Sequence, residues 1–295
     1  MNLQTLVTVL INCRNEEKFI SRSIKSVLSQ THKNLELLIW DDASDDNTAK
    51  VIKSFKDSRV KYFKNKKHKG LGFSRCEAQN QIKGELVAIL DADDEMSPNR
   101  IEKQVKEFLE NKNLSIVGSW VTFKNENGKI IKDNFLKKYY NIYSTSDQIR
   151  DQMLWKNIFA HSSIMYKKDN AIKVGWYSKK LEYSQDYDLS IKLIKDYDSK
   201  IITEKLTFIT IRKSSMSQSK QLQRIRLNEY LSILQKCKSD YKMNKKISFL
   251  NSREISLNKL KLILISDKSF ITKCIFVLKT LINFPSLFFL RYRIK

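Results

Sequence analysis

The sequence predicts an α/β fold with a Rossmann-like, mostly parallel sheet flanked by helices and a basic, helical C-terminal extension. Over the first 110 residues, short aliphatic segments of strand length alternate with amphipathic segments of helix length. Such alternation is typical of parallel strands joined by right-handed crossover helices. With 41% hydrophobic residues, the 295-residue chain can also bury a substantial core.

The first predicted elements are a strand over Leu6–Ile11 and a helix over Glu16–Gln30. The strand is almost entirely aliphatic, as is typical of strands buried on both faces. In the helical segment, apolar residues recur at the i, i+4, i+7 and i+8 spacing of a single helix face. The next elements are a strand over Leu35–Trp40, a helix from Asp46 or Asn47 toward Phe55, a strand over Val60–Phe63, and a helix from Gly72 through Lys83.

The fourth predicted strand, Leu86–Leu90, ends in the acidic run Asp91–Asp94, which has three carboxylates in four residues. Ser97 and Pro98 predict the start of the next helix, as its N-cap and first residue. Because the carboxylates repel one another, they need a cationic partner. Ligands of open α/β sheets bind at the carboxyl ends of strands, where carboxylates suit Mg²⁺ or Mn²⁺. The run predicts either a divalent metal that holds a nucleotide diphosphate or an acidic turn that caps the helix.

Beyond residue 110 the pattern changes. Ser115–Phe123 and Lys129–Lys132 flank an Asn127-Gly128 turn and predict a hairpin, after which mixed elements continue to about Ile211. From Gln221 the chain is Lys-rich and helical in pattern. We therefore predict a nucleotide-binding α/β half over residues 1–110, a second half of the same domain over 111–219, and a basic, mostly helical extension over 220–295.

The positive charge is concentrated in the C-terminal extension. The chain has a net charge of +23, and residues 220–295 contain 17 Lys and Arg against four acidic residues. Such a surface attracts anionic membranes or nucleic acid. Ile271–Leu290 is apolar, but Lys273, Lys279 and Pro285 interrupt it, which argues against a membrane-spanning helix. The segment predicts an interfacial helix on an anionic membrane surface, with a helix packed on the domain as the alternative.

The cysteines and the N-terminal residues indicate the cellular compartment in which the protein is expected. The four cysteines are widely spaced and include no C-x-x-C pair, so neither a zinc site nor a redox pair is predicted. The first residues lack the basic leader and long apolar core of a signal peptide. We therefore expect a reducing, cytoplasmic environment.

Five groups of residues follow one another in an order that resembles one enzyme family. They are Asn12–Glu17 after the first strand, the WDDASDDNT segment Trp40–Thr48, Arg75 in the helix after Gly72, the DADD run, and YSQDYDLSIKLI over Tyr183–Ile194. This set resembles the inverting glycosyltransferases of family 2, which have the GT-A fold. The resemblance covers roughly residues 5–215 and implies a bacterial enzyme of surface-glycan synthesis, such as lipopolysaccharide or capsule.

The resemblance implies a site for a nucleotide-sugar donor, expected to be UDP-linked. Asp42 aligns with the family's Asp that hydrogen-bonds uracil, and Arg75 would neutralise the diphosphate or hold the base edge. Arg212 or Lys213 would serve in the loop that closes on the diphosphate, where the family often carries a His. The predicted donor-binding residues are Asn12, Arg14, Asn15, Glu16, Asp42, Arg75, Asp91 and Arg212.

The resemblance also implies a metal ion and a general base. Asp93 would bind Mn²⁺ or Mg²⁺, with Asp91 on the metal or on the ribose. Asp186 would take the proton of the acceptor hydroxyl as that hydroxyl attacks the anomeric carbon in line. Alternatively, Asp186 is only a first-turn acidic residue that stabilises its helix. His161 and Gln185, which replaces the family's Glu, are expected at the acceptor, although His161 fits a structural role about as well.

We therefore predict an enzyme that transfers a hexosyl or N-acetylhexosaminyl group to a glycan or lipid-linked glycan acceptor. It would lie at the cytoplasmic face of a bacterial inner membrane. A sugar nucleotidyltransferase is one alternative, but it would need a Gly-rich phosphate loop, and NCRNEE has no Gly. A basic nucleic-acid-binding protein is another, but acidic strand ends would repel phosphates, so we expect no nucleic-acid partner. An inactive sugar-binding scaffold is disfavoured by the intact Asp93 and Asp186.

Overall fold

The computed structural model describes residues 1–132, 140, 145–212, 220–266 and 270–284. The chain divides into two compact units. The first comprises Met1–Arg150 and Ile158–Lys213, and the second comprises Asp151–Asn157 and Ser214–Lys295. The first unit contains the sheet, and the second contains the C-terminal helices.

The sheet has eight strands. In chain order they are β1 (Val7–Cys13), β2 (Leu35–Asp41), β3 (Val60–Lys64), β4 (Leu86–Ile89), β5 (Glu95–Met96), β6 (Leu114–Asn125), β7 (Met165–Lys167) and β8 (Asp198–Ile211). Their order across the sheet is β3-β2-β1-β4-β7-β6-β8-β5. Strands β1 to β4 are mutually parallel, as are β6 and β8, whereas β7 and β5 pair antiparallel with their neighbours. The predicted α/β fold with a mostly parallel sheet is confirmed.

Helices cover the sheet and build the C-terminal region. They are α1 (Ile20–Leu28), α2 (Thr48–Ser54), α3 (Leu71–Ala78), α4 (Arg100–Glu110), α5 (Ser146–Met153), α6 (Lys168–Lys173), α7 (Gln185–Asp196), α8 (Lys220–Asp240), α9 (Lys245–Leu264) and α10 (Phe270–Asn283). Two 3₁₀ turns occupy Gln79–Gln81 and His161–Ser163. Strands β1, β2 and β4 are buried on both faces, and the apolar stripes of α1 and α4 pack against them.

Arg100, the first residue of α4, is completely buried among backbone carbonyls. Its guanidinium donates to the carbonyl oxygens of Ile89 and Ile164 at 3.0 Å each and to that of Ser162. Its Nε donates to Gln104 Oε1 at 3.0 Å. Since Ile89 ends β4 and Ile164 precedes β7, this one side chain holds the ends of two adjacent strands.

Two predicted helix starts were wrong. Helix α1 begins at Ile20 and not at Glu16. The backbone N–H groups of Glu16 and Glu17 instead donate to Thr48 and Asp46, which connects this segment to the start of α2. Helix α4 begins at Arg100 with Asn99 at the N-cap, not at Ser97-Pro98. Here the N–H of Ser97 donates to the Leu206 carbonyl of β8, so the chain still follows the sheet at that residue.

Two other boundaries also differ from prediction. Helix α3 ends at Ala78 and continues only as a 3₁₀ turn, short of the predicted end at Lys83. The turn at Gly128 is present, with a φ of +80° that favours glycine. However, the segment after this turn forms only an isolated bridge between Ile130 and Lys124, not the second strand of a hairpin.

The second unit is helical in its described part. Asn251 of α9 is fully buried, and its Nδ2 donates to the carbonyls of Leu154 at 2.7 Å and Leu234 at 3.0 Å. Helix α10 presents three apolar side chains at i, i+3 and i+7: Ile275, Leu278 and Ile282, which are 49%, 59% and 75% exposed. Among the helices that the structure describes, none is long and apolar enough to cross a membrane. Residues 285–290 of the predicted interfacial segment lie outside the described residues, and the division into three regions stays a prediction.

Candidate active site

The polar segments that follow β1, β2 and β4 lie along one edge of the sheet. Cys13, the last residue of β1, pairs with Asp41, the last residue of β2. Leu10 of β1 pairs with Ile89 at the end of β4. Because these strands are parallel, residues 14–17, 42–48 and 91–94 emerge on the same side. Three of the groups identified in the sequence are therefore brought together.

Asn15 connects the first two of these segments. Its backbone is left-handed, with a φ of 57°, which Asn tolerates better than most residues. Its N–H donates to Ser44 Oγ at 3.0 Å, and its Oδ1 accepts from the N–H of Asp45 at 3.0 Å. The adjacent Glu16 N–H donates to Thr48 Oγ1 at 2.7 Å. In this structure Asn15 thus fixes the turn.

Two other predicted donor residues in this region, Asn12 and Arg14, differ in their exposure. The Nδ2 of Asn12 is buried and has no hydrogen-bond partner in the described part of the protein. Since a buried amide donor left unpaired is costly, Asn12 is suited to a ligand acceptor. The Arg14 side chain is exposed to solvent.

Asp42 is surrounded by donors from the segment after β3. It accepts hydrogen bonds from Asn65 Nδ2 at 2.6 Å, from the backbone of Lys69 at 2.9 Å and Gly70 at 2.8 Å, and it pairs with His68 at 2.7 Å. Burial raises the pKa of Asp42, but these hydrogen bonds outweigh it and leave the pKa below its usual value. These partners of Asp42 are all groups of the protein itself. The predicted hydrogen bond between Asp42 and the uracil base of the donor stays a prediction.

Asp91 lies against two basic side chains. Its Oδ1 is 3.3 Å from His161 Nδ1 and 3.7 Å from an Arg75 NH2. Arg75 NH2 is also 3.2 Å from the same His161 nitrogen. Burial acts to raise the pKa of Asp91, but the charges and hydrogen bonds of these neighbours hold it well below its usual range. Asp91 therefore remains ionised beside a guanidinium. The fold brings Arg75, Asp91 and His161 together although they are far apart in sequence.

Arg212 bridges two other carboxylates of the same edge. Its Nε donates to Asp93 Oδ2 at 2.5 Å and its NH2 donates to Glu16 Oε2 at 2.6 Å, while its Cζ lies 4.5 Å from the centre of the Phe19 ring. Burial raises the pKa of Glu16 to about 7 despite Arg212. Burial also raises the pKa of Asp93, which Arg212 opposes and Asp91 reinforces. Lys213, the alternative to Arg212, lies outside the described residues.

The carboxylates of this edge fit a divalent cation. Burial raises the pKa values of Asp93 and Glu16, and the negative charge of neighbouring carboxylates adds to this effect. Within the described ranges, no three His, Cys, Asp or Glu side chains converge as a complete metal cage. Mg²⁺, however, is usually held by one or two carboxylates together with water and ligand phosphates. Asp93 and Asp91 stay the predicted ligands of such an ion.

Asp186 lies in the first turn of α7, next to Gln185. Its charge, with that of Asp91, adds to burial in raising the pKa of the Tyr177 hydroxyl to about 12, so both carboxylates act on this phenol. Tyr177 also lies 3.4 Å from His161 Nε2. Asp186 is thus placed near the Arg75–His161–Asp91 group.

The two predicted acceptor residues, Gln185 and His161, differ in their exposure to solvent. The Gln185 side chain is completely buried, and its Oε1 accepts from Arg75 NH1 at 2.7 Å. The His161 side chain keeps 10% exposure. The predicted acceptor contacts of both residues stay predictions.

Several residues of the site carry no recognisable sequence signal. Tyr177 follows a left-handed Trp176 with a φ of 55° and belongs to no motif. Asn65 comes from a Lys-rich stretch, and Thr210, whose N–H donates to Asp94 Oδ1 at 2.8 Å, comes from the far end of β8. Of these three residues, only Asn65 was predictable from its position, because it directly follows the third strand and so lies at the same edge of the sheet.

Comparison with known proteins identifies the family. The model of "Glycosyl transferase family 2" matches residues 8–175, more than half of the chain. The chain is 36% identical over 204 residues to the uncharacterized glycosyltransferase MJ1057 of Methanocaldococcus jannaschii, covering 68% of each protein. It is 38% identical over 128 residues to the Escherichia coli UDP-Glc:alpha-D-GlcNAc-diphosphoundecaprenol beta-1,3-glucosyltransferase WfgD, covering 43% of this chain and 51% of that enzyme.

A solved structure supports the same fold. The mannosyltransferase PcManGT of Pyrobaculum calidifontis, in complex with GDP-Man and Mn²⁺, superposes with a TM-score of 0.61 at 17% identity. The match covers 94% of this chain and 79% of that protein. The predicted family is thereby confirmed over both alternatives, the nucleotidyltransferase and the nucleic-acid-binding protein. The chain belongs to glycosyl transferase family 2 and is a glycosyltransferase with the GT-A fold.

Proposed function

We propose that this enzyme transfers a hexosyl or N-acetylhexosaminyl group from a UDP-linked donor, with inversion, to a lipid-linked glycan acceptor in bacterial surface-polysaccharide synthesis. The observation that carries this proposal is the cluster at the strand ends. There, Arg75 and Arg212 lie beside the carboxylates Asp91 and Asp93, near helix α7, which has Asp186 in its first turn. Paired guanidiniums and carboxylates suit a diphosphate with its metal.

The donor side combines cations with an unpaired amide. Arg75 and Arg212 provide two planar guanidiniums for phosphate oxygens. Asn12, whose buried Nδ2 has no partner in the described part of the protein, supplies a donor for a base or ribose acceptor. The activity named for WfgD, with a UDP-Glc donor, supports UDP as the nucleotide. PcManGT carries GDP-Man, so fold alone does not decide the base.

Asp93 and Asp91 would hold Mn²⁺ or Mg²⁺, as the Mn²⁺ in PcManGT supports. When bound, such an ion neutralises charge that develops on the departing diphosphate. The remaining work falls to the protein. Asp91 stays ionised under the influence of His161 and Arg75. Arg212, whose Cζ lies 4.5 Å from the centre of the Phe19 ring, would bind phosphate oxygens.

Asp186 would act as the general base. It lies in the first turn of α7, where the helix dipole favours a negative charge. In a direct displacement it accepts the proton of the acceptor hydroxyl as the oxygen attacks the anomeric carbon, and the configuration inverts. His161 would then stand at the acceptor side, between Tyr177 and Asp91.

A relative supports the proposed acceptor, and the second unit supports the proposed location. WfgD acts on a diphosphoundecaprenol-linked sugar, as its name states, which supports a lipid-linked glycan acceptor. The apolar face of α10 (Ile275, Leu278 and Ile282), together with the basic charge of residues 220–295, would bind an anionic membrane. We place the enzyme at the cytoplasmic face of a bacterial inner membrane.

A donor screen tests the proposed function. Purified protein would be mixed with single nucleotide sugars and Mn²⁺, with and without a short acceptor that carries a lipid diphosphate. We expect one UDP-sugar to release UDP, faster with the acceptor than without it. The anomeric configuration of the product, read by NMR, should be inverted. Retention of configuration, or no release from any nucleotide sugar, would contradict the proposal.

A further inference from the structure

We infer that Gln185 is a positioning residue that orients the Arg75 guanidinium toward the donor-side carboxylate Asp91, and that it does not contact the acceptor. The inference rests on the proposed function, because it assigns Arg75 to the donor diphosphate. It differs from the role expected from the sequence, in which Gln185 contacts the acceptor.

The first argument is the fixed orientation of the buried amide. Gln185 Oε1 accepts from Arg75 NH1 at 2.7 Å. Its Nε2 donates to the backbone carbonyls of Leu181 at 2.5 Å and Glu182 at 2.8 Å. A rotation of the amide by 180° would place its NH₂ group against the guanidinium and its oxygen against two carbonyl oxygens. The protein therefore uses both ends of this side chain, and solvent reaches none of it.

The second argument is the close approach of the two helices that this amide joins. A Cβ atom at Gly72 of α3 would lie 2.5 Å from Gln185 Nε2 and inside van der Waals contact with the Leu181 carbonyl. Only glycine lets the start of α3 pack so tightly against the start of α7. Arg75 lies three residues after Gly72, and Asp186 directly follows Gln185. The amide thus sets the spacing between the helix of Arg75 and the helix of the proposed base.

The third argument is charge. Arg75 is 6% exposed, and its other neighbours are His161 Nδ1 at 3.2 Å, Asp91 at 3.7 Å and the Tyr177 ring at 5.6 Å. A neutral amide accepts a hydrogen bond from the guanidinium without cancelling its charge. A carboxylate in the same place would form a buried ion pair and weaken the attraction of Arg75 for a phosphate. Gln185 therefore orients Arg75 without itself neutralising the charge of the guanidinium.

The test is a double-mutant cycle read on nucleotide binding. Q185M keeps the length of the side chain and removes the acceptor for Arg75, and R75M removes its partner. We expect Q185M to weaken the binding of UDP with Mn²⁺ about tenfold by calorimetry, as befits a hydrogen bond to a charged group. The same change in the R75M background should have no further effect, because Gln185 acts through Arg75.

Steady-state kinetics separates this role from a purely structural one. In Q185M and Q185E, the donor KM should rise while the acceptor KM stays within about twofold of the parent, because only the Arg75 side is altered. Q185E should be the more severe change, since its carboxylate faces two carbonyl oxygens. The control Q81E adds the same charge at an exposed position and should change neither constant.

The outcomes are distinguishable. A raised acceptor KM with unchanged UDP affinity would overturn the inference and leave the proposed function standing. Additive effects of Q185M and R75M on UDP binding would also overturn it. If the parent protein binds neither UDP nor GDP with Mn²⁺, the proposed function fails, and the assignment of Arg75 to the diphosphate fails with it. Should Q185E not fold, Q185M and the cycle decide the matter alone.

Discussion

At the residue scale, the candidate site consists of carboxylates that each have a cationic neighbour. Asp91 lies beside His161 and Arg75, while Glu16 and Asp93 share Arg212. Burial raises the pKa of Asp93, whereas the basic neighbours of Asp91 hold its pKa below the usual range. Two carboxylates of one short loop therefore differ in their affinity for protons, and the difference comes from their neighbours.

Asp93→Ala should abolish transfer and weaken UDP binding in Mn²⁺ while the protein stays folded. Its carboxylate would hold the metal, whose charge stabilisation is worth several kcal/mol, or roughly 10²–10³-fold in rate. Activity, calorimetry with UDP and circular dichroism would be measured together. Asp169→Ala, an exposed acid of α6, is the control and should behave like the parent. Full activity of the variant, or of the parent in EDTA, would exclude Asp93 as a metal ligand.

Asp186→Asn should lose most of kcat with little change in donor affinity. The substitution is nearly isosteric and removes only basicity, and general-base catalysis contributes about 10²–10⁴-fold. Asp188→Asn is the matched control, because Asp188 is in the same helical turn and pairs with Lys192 at 2.5 Å. If both variants lose stability and turnover to the same degree, Asp186 is a structural residue of the helix start.

Glu16 should make the metal-free protein less stable as the pH rises. Its pKa is about 7 in the folded protein against 4.5 ordinarily, mainly because of burial. Below pH 4.5 the group is protonated in both states, and between 4.5 and 7 only the unfolded chain releases the proton. Glu16→Gln removes this titration, so its gain in unfolding free energy over the parent should grow from pH 5 to pH 8. Urea denaturation in EDTA measures it, with the exposed Glu110→Gln as control; a gap that does not change with pH would contradict the prediction.

At the element scale, the site depends on strands that end in register. The ends of β1, β2 and β4 are aligned by the sheet, and Arg100 of α4 fixes the end of β4 against the segment before β7. The buried guanidinium of Arg100 has hydrogen-bond acceptors in the backbone carbonyls around it. No other side chain offers donors in the same planar arrangement, so no other residue can fully replace it.

Arg100→Met should destabilise the protein strongly without touching a ligand. The change removes a donor from the buried carbonyls of Ile89, Ser162 and Ile164, of which that of Ile164 also accepts from the N–H of Ile89. Each carbonyl left unpaired costs about 1–3 kcal/mol. Arg100→Lys should restore only part of this stability, because a single ammonium cannot reproduce the fork. Chemical denaturation measures both, and a midpoint for Arg100→Met equal to that of the parent would contradict this role.

The sequence predicted the elements whose signals are local. Aliphatic runs indicated β1, β2 and β4, and the acidic run after β4 indicated the edge where a ligand would bind. The pairings made over long sequence separations were not predictable. Strand β5 has two residues and exists only because it pairs with Thr207 and Phe208 of β8. The Arg212–Asp93 contact likewise joins residues 119 positions apart. Asp42 was recognised by motif, yet its partners come from a Lys-rich segment without a pattern.

At the scale of the whole molecule, the charge is divided unequally. Acidic side chains gather at one edge of the sheet, while residues 220–295 carry a large excess of Lys and Arg. Helix α10 adds apolar side chains that are half exposed or more. An anionic bilayer would satisfy both features, because it accepts basic charge at its surface and apolar groups just below it.

Replacing Ile275, Leu278 and Ile282 together by Ser should release the protein from anionic vesicles. Each apolar side chain contributes up to about 1.5–3 kcal/mol when fully buried, so partial insertion of three predicts a loss of more than tenfold in vesicle affinity. Sedimentation with phosphatidylglycerol vesicles measures it. Ile172→Ser, an exposed position of α6, is the control. Turnover of a short soluble acceptor should not change, and unaltered sedimentation of the triple variant would refute the anchor.

The contact of Arg212 with Glu16 and Asp93 has a consequence for how the site is loaded. The Arg212 guanidinium already pairs with Asp93, so a divalent ion that bound this carboxylate would have to compete with it, and loading would be an exchange of one cation for another. The apparent affinity for metal alone would then be lower than the carboxylates would provide by themselves. A diphosphate that arrives together with the ion offers the displaced guanidinium a new anionic partner. Metal and nucleotide are therefore expected to bind cooperatively, so that each raises the affinity of the protein for the other.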